Sequence, residues 1–363
     1  MNEFIVPHLA THPGEVLKDE LMARNITQKD LAAEIDMQQT MLNEIIKGKR
    51  PLSTDIAVLL ESALDIPADF WMNYQVQYDL DKSRIKEKNI QRLQLIEQWK
   101  LLKQYVPVSC FRKSGYLKSN LAEDIAFIKQ IYEANSLDAL VIEFVSYKSS
   151  TFFKKSERLH IDERNLFGWS KLVMWLANNE QVSRFDPDSF PKVKSALHSI
   201  FYSNSEVREQ TKDVLAINGI KLIFLEKFDK TPVDGYSFWS NENPAIGLTL
   251  RHKRIDNFAF TVFHELGHVY NHLQKDKTTQ FLDLEDPVTS VKSLEESEAD
   301  SFAMNHLISK EQWDDLRRAA PFDDNKIRGF SETHKINPAI ILGRLLFEQK
   351  NYAVKTTIDR SLY

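Results

Sequence analysis

Three residues in the C-terminal half of the chain have the types and the spacing of a metal site. His264, Glu265 and His268 form the pattern H-E-x-x-H. On a helix, positions i and i+4 lie one turn apart on the same face, so both imidazoles can reach one Zn²⁺ ion. Glu265 lies roughly 100° further round the helix, where its carboxylate can act as general base toward a zinc-activated water. The pattern therefore predicts a zinc hydrolase in which Glu265 is the catalytic residue.

The third ligand of such a site should come from an acidic segment downstream, because a catalytic zinc usually takes three protein ligands and keeps one position for water. The segment SLEESEADSF is predicted to be a helix, and Phe302, Ala303 and Leu307 make it amphipathic. At least one of its carboxylates should then face the two histidines. The candidates are Glu295, Glu296 and Glu298. His272 continues the i, i+4 series, but on an unbroken helix it would lie about 6 Å further along the axis, so we expect an outer-shell or surface role for it.

The segments around the motif indicate which elements position it. Strand-like runs KLIFLE, DGYSFW and AIGLTL, bounded by Gly, Pro and Asn, precede a helix at about 255–273. The run at 245–250 is the expected edge against which an extended peptide could pair. Tyr236 and His252 are candidates for stabilising an oxyanion.

The N-terminal residues 1–80 have the pattern of short helices separated by brief breaks, which predicts a five-helix bundle. Thr27 has the position of an N-cap for a helix at 28–35. After a tight break at 36–37, another helix runs from 38 to 47. Two short helices joined by a tight turn within a helical bundle are typical of a helix-turn-helix domain that binds DNA.

The second of these helices would be the recognition helix. Hydrogen-bonding side chains at its N-terminal end are expected to contact base edges, and these are Gln38, Gln39, Thr40 and Asn43. Basic side chains at its end are expected to hold phosphates, and these are Lys47, Lys49 and Arg50. Ser53 should cap the next helix, whose inner face is expected to consist of Ile56, Leu59, Leu60 and Leu64.

Length and composition set limits on these interpretations. A chain of 363 residues suggests two or three domains. The net charge of −5 and the excess of acidic over basic side chains in residues 1–80 predict a DNA affinity that is modest and sensitive to salt. The single cysteine, Cys110, excludes an intrachain disulfide and fits a reducing compartment. Because neither a signal peptide nor a long apolar run is apparent, we expect a cytoplasmic protein.

The predicted fold class is mainly α with a small α+β domain. We expect the helix-turn-helix bundle at residues 1–80, a basic linker helix at 81–104 and a helical middle region at 105–200. A zincin-like domain with a small sheet should occupy residues 201–350.

The C-terminal motifs resemble those of the ImmA/IrrE-type metallopeptidases. The similarity lies in AIGLTL, RIDNFAFTVF, HELGH and the run E-S-E-A-D-S-F-A at 296–303, and it covers about residues 205–310. The resemblance implies a zinc metalloendopeptidase with a protein or peptide substrate, in which Glu265 is the general base and Glu298 is the third metal ligand. Glu295 and Glu296 remain alternatives to Glu298.

The N-terminal module resembles the helix-turn-helix of HigA-type antitoxins, which are XRE-like. The similarity lies in HPGE at 12–15, TQKDLA at 27–32, NEIIKGKRP at 43–51 and IPADFW at 66–71. The resemblance implies a transcription regulator of a toxin–antitoxin system that binds its own operator, alone or as a homodimer, and pairs with a RelE-like ribonuclease toxin. In an alternative interpretation, the peptidase-like domain of such an antitoxin is a non-catalytic scaffold for a partner.

Overall fold

The computed structural model describes residues 9–151, 161–250, 253–284, 293–318 and 322–363 of the chain. Two compact units make up the chain, one up to Lys100 and one from Leu101 onward. None of the helices in these described segments is long and apolar enough to cross a membrane.

The N-terminal unit is helical in its described part, as the sequence predicts. Its bundle helices are α1 (Pro13–Ala23), α2 (Gln28–Glu34), α3 (Gln39–Ile46), α4 (Thr54–Leu64) and α5 (Ala68–Arg84). They enclose one apolar core in which Leu17, Leu31, Leu42, Leu60 and Trp71 are completely buried. The long helix α6 (Glu87–Tyr105) follows α5.

The helix-turn-helix is formed by α2 and α3. Thr27 caps α2, because its Oγ1 accepts a hydrogen bond from the backbone N–H of Asp30 at 3.2 Å. Asp36 occupies the turn with φ +49°, a left-handed conformation that Asp adopts more readily than most residues. Helix α3 begins after Gln38 and ends before Lys47, so the helix predicted at 38–47 is confirmed.

Glycine is required where α1 meets α3. A Cβ on Gly14 would lie 2.0 Å from the carbonyl oxygen of Ile45, the last but one residue of α3. His12 caps α1, since its Nδ1 accepts from the Gly14 N–H at 2.9 Å. The H-P-G-E motif therefore couples the position of α3 to the start of α1.

The prediction for the inner face of α4 is wrong at one residue. Ile56, Leu60 and Leu64 are buried, but Leu59 is 40% exposed and Ala57 is completely buried. Ala57 lies roughly 100° round the helix from Ile56, on the side of Leu60 and Leu64, whereas Leu59 lies about 60° round in the opposite direction. The buried arc therefore includes Ala57 and excludes Leu59.

The second unit begins with helices that precede its sheet. In the described residues these are α7 (Val108–Lys113), α8 (Leu121–Ile131), α9 (Leu137–Thr151), α10 (Glu163–Asn179), a 3₁₀ turn (Pro187–Ser189), α11 (Phe190–Ser203) and α12 (Val207–Ile217). Helix α10 packs on the sheet through buried residues such as Trp169 and Val173. A Cβ on Gly247 would lie 2.5 Å from Val173, so this glycine allows the helix to approach the sheet closely.

The small sheet of the second unit is mixed. Its strands are β1 (Lys221–Phe224), β2 (Val233–Ser240), β3 (Asn243–Leu248) and β4 (Phe281–Leu284). Their order is β1-β3-β2-β4, with β1 parallel to β3 and the other two pairs antiparallel. The prediction that the run 245–250 forms a sheet edge is wrong, because β3 is hydrogen-bonded to β1 on one side and to β2 on the other. Within the described residues, β1 and β4 are the edges.

The helices after the sheet complete the second core. They are α13 (Ile255–Gly267), which continues directly into a π-helical turn (His268–Leu273), and then α14 (Leu294–Leu307), α15 (Lys310–Arg318), α16 (Asp324–His334) and α17 (Pro338–Gln349). Helix α13 packs against β2, α14 and α17. Its completely buried side chains include Val262, Phe263 and Leu266.

The C-terminal segment holds the first residues of α13. The Ile255 N–H donates to the carbonyl of Arg360 at 2.9 Å, and Arg254 forms a β-bridge with Ser361. The buried carboxylate of Asp256 pairs with the guanidinium groups of Arg254 and Arg360. The start of the helix that carries H-E-x-x-H is therefore anchored by residues about 100 positions downstream.

Candidate metal centre and nucleic-acid interface

The two histidines of the H-E-x-x-H pattern meet inside the second unit. His264 lies in the last turn of α13 and His268 starts the π-helical turn. Both are buried, and their Nε2 atoms are 3.2 Å apart. The structure therefore brings the two imidazoles together on one helix face, as their spacing predicts.

Glu296 on α14 supplies the third group at this position. Its Oε2 lies 3.2 Å from Nε2 of His264 and 3.7 Å from Nε2 of His268. Burial by itself would raise the pKa of Glu296, but hydrogen bonds and charge interactions with the two histidines outweigh it and hold that pKa well below its ordinary value. The carboxylate is therefore ionised and directed at the histidine pair.

Glu298, which the family resemblance implies as the third ligand, does not lie at the pair of His264 and His268. Its Oε2 is 2.9 Å from Nε2 of His272 and its side chain is 47% exposed. The face of α14 that packs on α13 contains the buried Ala299 and Ala303. Glu296 and Glu298 lie roughly 200° apart round the helix and flank this face on opposite sides. Of the three candidate glutamates, only Glu296 groups with both histidines.

The donor atoms of this cluster fit a zinc ion. Nδ1 of His264 lies 3.1 Å from Oδ1 of Asp300, and a proton on Nδ1 leaves the Nε2 lone pair free. Although burial lowers the pKa of His264, the carboxylates of Asp300 and Glu296 raise it well above its ordinary value, so the position favours positive charge. Tetrahedral ligands about 2.0–2.2 Å from zinc are about 3.3 Å from one another. The observed separations match this spacing.

Glu265 is completely buried beside the cluster. Its Oε2 accepts a hydrogen bond from Ser237 Oγ at 2.5 Å, whereas its Oε1 has no hydrogen-bond partner among the described residues. Burial raises the pKa of Glu265 to about 8, His264 opposes this rise, and Asp283 adds to it. A carboxylate with one free oxygen and a pKa near neutrality is suited to accept a proton.

Gly235 on β2 makes room for this carboxylate. A Cβ at this position would lie 1.9 Å from Oε1 of Glu265 and 2.5 Å from its Cδ. Gly235 and Ser237 therefore position Glu265 together, one by its lack of a side chain and the other by its hydroxyl. Neither residue was predictable from the sequence, because nothing local in DGYSFW indicates which helix the strand faces.

Gly235→Ala is therefore expected to destabilise the second unit. Overpacking a well-filled interior typically lowers the free energy of unfolding by about 1–3 kcal/mol, and here the added methyl meets a carboxylate held by its own hydrogen bond. Urea denaturation of the full chain measures the effect. Gly329→Ala is the matched control, because a Cβ there meets no heavy atom within 4 Å. Equal stability of the two variants would show that the packing at Gly235 is not tight.

The edge strand β4 borders the cluster. The ring of Phe281 stacks on His268 with centroids 4.2 Å apart, and a carboxylate oxygen of Asp283 lies within 4.8 Å of ligand atoms of His264 and Glu265. Tyr236 is 2% exposed and its hydroxyl donates to Gln280 at 2.6 Å, so this candidate oxyanion donor is already engaged. The other candidate, His252, lies outside the described residues.

The predicted DNA-binding side chains lie on α3 and directly before and after it. Most are exposed: Gln38, Gln39, Thr40, Lys47, Lys49 and Arg50; Asn43 is half-buried. Gln38 makes no side-chain cap hydrogen bond with the helix. Arg50 pairs with Glu44 at 3.0 Å, with both side chains nearly half exposed, and such a surface pair exchanges easily for a phosphate.

Comparisons with known proteins agree with the two modules. A helix-turn-helix family model matches residues 17–71, and the M78 peptidase model, described as an IrrE N-terminal-like domain, matches residues 218–345. Virulence-associated protein I of Dichelobacter nodosus is 31% identical over 82 residues, which cover 22% of this chain and 76% of that protein. Virulence-associated protein A of the same organism is 39% identical over 75 residues, which cover 20% of this chain and 72% of that protein. A solved structure described as Pseudomonas aeruginosa antitoxin HigA with higBA promoter is 37% identical, covering 20% of this chain and 82% of that chain, with a TM-score of 0.20.

Proposed function

We propose that this chain is a DNA-binding regulator of the antitoxin type with a working zinc peptidase. It belongs to the helix-turn-helix family and carries an IrrE N-terminal-like domain of the M78 peptidases. One observation carries the catalytic half of this proposal. Three lone-pair donors, from His264, His268 and Glu296, converge with separations of 3.2, 3.2 and 3.7 Å. Two imidazole nitrogens and one carboxylate oxygen at these separations match the spacing of ligands round a tetrahedral zinc ion, so the geometry favours a cation as the occupant.

Each residue then has a defined task. His264, His268 and Glu296 would hold the zinc ion, which polarises a peptide carbonyl and lowers the pKa of water when it is bound. Glu265 would accept a proton at Oε1 and pass it to the leaving amine. Ser237 keeps the other oxygen of Glu265 in place through its 2.5 Å hydrogen bond. Burial of these groups excludes bulk water and strengthens their interactions.

We infer that an extended peptide substrate pairs with β4. This strand is an edge of the described sheet, whereas β3 is interior. Phe281 stacks on His268, and Asp283 lies beside Glu265. Backbone pairing with such an edge would bring a scissile bond next to the metal ligands and the general base.

A peptidase-like domain can also serve as a scaffold without catalysis. In that alternative, the domain binds a partner of the antitoxin, and the sequence resemblance to HigA-type antitoxins suggests a RelE-like ribonuclease toxin. The buried Glu265 with one free oxygen favours catalysis, because an ionisable group without a task would be costly to bury. Relief of repression at the chain's own promoter distinguishes the two: a peptidase loses it on Glu265→Gln, and a scaffold retains it.

The DNA-binding half rests on the helix-turn-helix match and on the exposed polar end of α3. Asn43→Ala combined with Lys47→Ala is expected to weaken binding to the chain's own promoter by about 10-fold or more and to reduce its salt dependence. An electrophoretic mobility shift at several salt concentrations measures both effects.

Gln77→Ala combined with Lys82→Ala is the matched control, because it removes one amide and one lysine from the exposed surface of α5. The control should bind like the wild type. If the α3 variant also binds like the wild type, α3 is not the recognition helix.

A further inference from the structure

His272 lies behind one of the proposed metal ligands, in a position that the H-E-x-x-H pattern does not explain. Its Nδ1 is 3.1 Å from Nδ1 of His268, and its Nε2 is 2.9 Å from Oε2 of Glu298. The imidazole is buried at 8% exposure, whereas the carboxylate of Glu298 is 47% exposed. A line of polar contacts therefore runs from the surface through His272 to His268.

Only one arrangement of protons gives each hydrogen bond between His268, His272 and Glu298 a donor and an acceptor and also leaves His268 able to bind a metal. Nε2 of His268 faces Nε2 of His264, so it must be the unprotonated nitrogen and Nδ1 must carry the proton. That Nδ1–H then donates to Nδ1 of His272. His272 consequently carries its own proton on Nε2, which donates to the carboxylate of Glu298. Every donor along the line has an acceptor.

The contact between His268 and His272 lies within the π-helical turn His268–Leu273. The ring centroids are 5.2 Å apart, close to the 4.9 Å between His264 and His268, which have the same i, i+4 spacing. Phe281 borders both rings, at 4.2 Å from His268 and 5.2 Å from His272. Such π-helical turns occur frequently at functional sites.

We propose that His272 and Glu298 are positioning residues that fix the ring orientation and the tautomer of the metal ligand His268. This inference rests on the proposed zinc site and adds the residues that support it. His264 has a comparable partner in Asp300, at 3.1 Å from its Nδ1. The Nδ1–H of His264 would thus donate directly to a carboxylate. The Nδ1–H of His268 would donate to His272, which in turn donates to the carboxylate of Glu298.

Zinc affinity of the full-length chain, measured by competition with a chromophoric chelator, tests this role. His272→Leu is expected to weaken zinc binding by about 10–100-fold, the usual effect of losing a partner of a ligating histidine. His272→Asn places an amide near the position of Nδ1 and should recover most of the affinity. Glu298→Ala changes an exposed side chain, so it should fold normally and still weaken binding by about 10-fold. His334→Leu, on α16, is the matched control and should bind zinc like the wild type.

X-ray absorption at the zinc edge separates a positioning role from direct ligation. Two imidazole ligands are expected in the wild type and also in His272→Leu. Three imidazoles in the wild type and two in the variant would make His272 a ligand and would overturn the proposal. Equal zinc affinity of the wild type, His272→Leu and Glu298→Ala would also overturn it, with the zinc site itself intact. Absence of zinc binding by the wild type would overturn the proposed function together with this inference.

Discussion

Glu265→Gln is expected to lower the rate of peptide cleavage by about 10²–10⁴-fold, the usual contribution of a general base. Glutamine has the shape of glutamate and can still accept the hydrogen bond from Ser237, but it cannot take up a proton. Because Glu265 is not among the three converging donors, the bound zinc should remain. Digestion of a peptide library by the full chain, read by mass spectrometry, measures cleavage, and metal analysis of the same samples measures zinc.

Glu242→Gln is the matched control for this variant, since Glu242 is exposed in the turn between β2 and β3. It should cleave like the wild type. A Glu265→Gln protein that retains zinc and full activity would mean that another group acts as the base. Loss of zinc together with activity would instead indicate that Glu265 contributes to metal binding.

Glu296→Gln is expected to weaken zinc binding by more than about 100-fold, which exceeds the usual loss on removing an outer partner. The carboxylate of Glu296 is the only acidic group of α14 in the described cluster with both histidines, and an amide is a poor zinc ligand. The measurement is zinc affinity by chelator competition on the full chain. The comparison variant is Glu298→Gln, on the same helix two residues away.

Glu298→Gln should keep zinc affinity within about threefold of the wild type, because a glutamine oxygen can still accept from Nε2 of His272. The opposite ranking, with Glu298→Gln losing zinc and Glu296→Gln retaining it, would restore Glu298 as the ligand that the sequence resemblance implies. Equal and large losses in both variants would indicate that the two carboxylates share the ion.

The parts of the site that follow from local geometry were predictable from the sequence. His264, Glu265 and His268 lie within one helix, so their spacing alone determines that both imidazoles share a face. The third member of the cluster, Glu296, was not predictable, because its place depends on the rotation of α14 about its own axis relative to α13. Ala299 and Ala303 set this rotation by packing on α13, and three nearby glutamates offer no local signal for it.

The same distinction between local and long-range information holds for the fold. The cap at Thr27 and the helix at 38–47 depend on neighbouring residues, and the structure agrees with both predictions. The interior place of β3 depends instead on long-range pairing, because β1 pairs in parallel with β3 and not with β2, its neighbour along the chain. The i, i+4 spacing placed His272 one turn beyond His268, but its hydrogen bond with Glu298 was unpredictable, because it depends on the rotation of α14 about its own axis.

Metal analysis of the full-length chain purified without chelator tests the central claim most directly. The zinc site proposed at His264, His268 and Glu296 predicts one zinc ion per chain in the wild type and none above background when both histidines are changed to alanine. A wild-type chain without zinc, or a double variant that retains it, would contradict a zinc site at these residues.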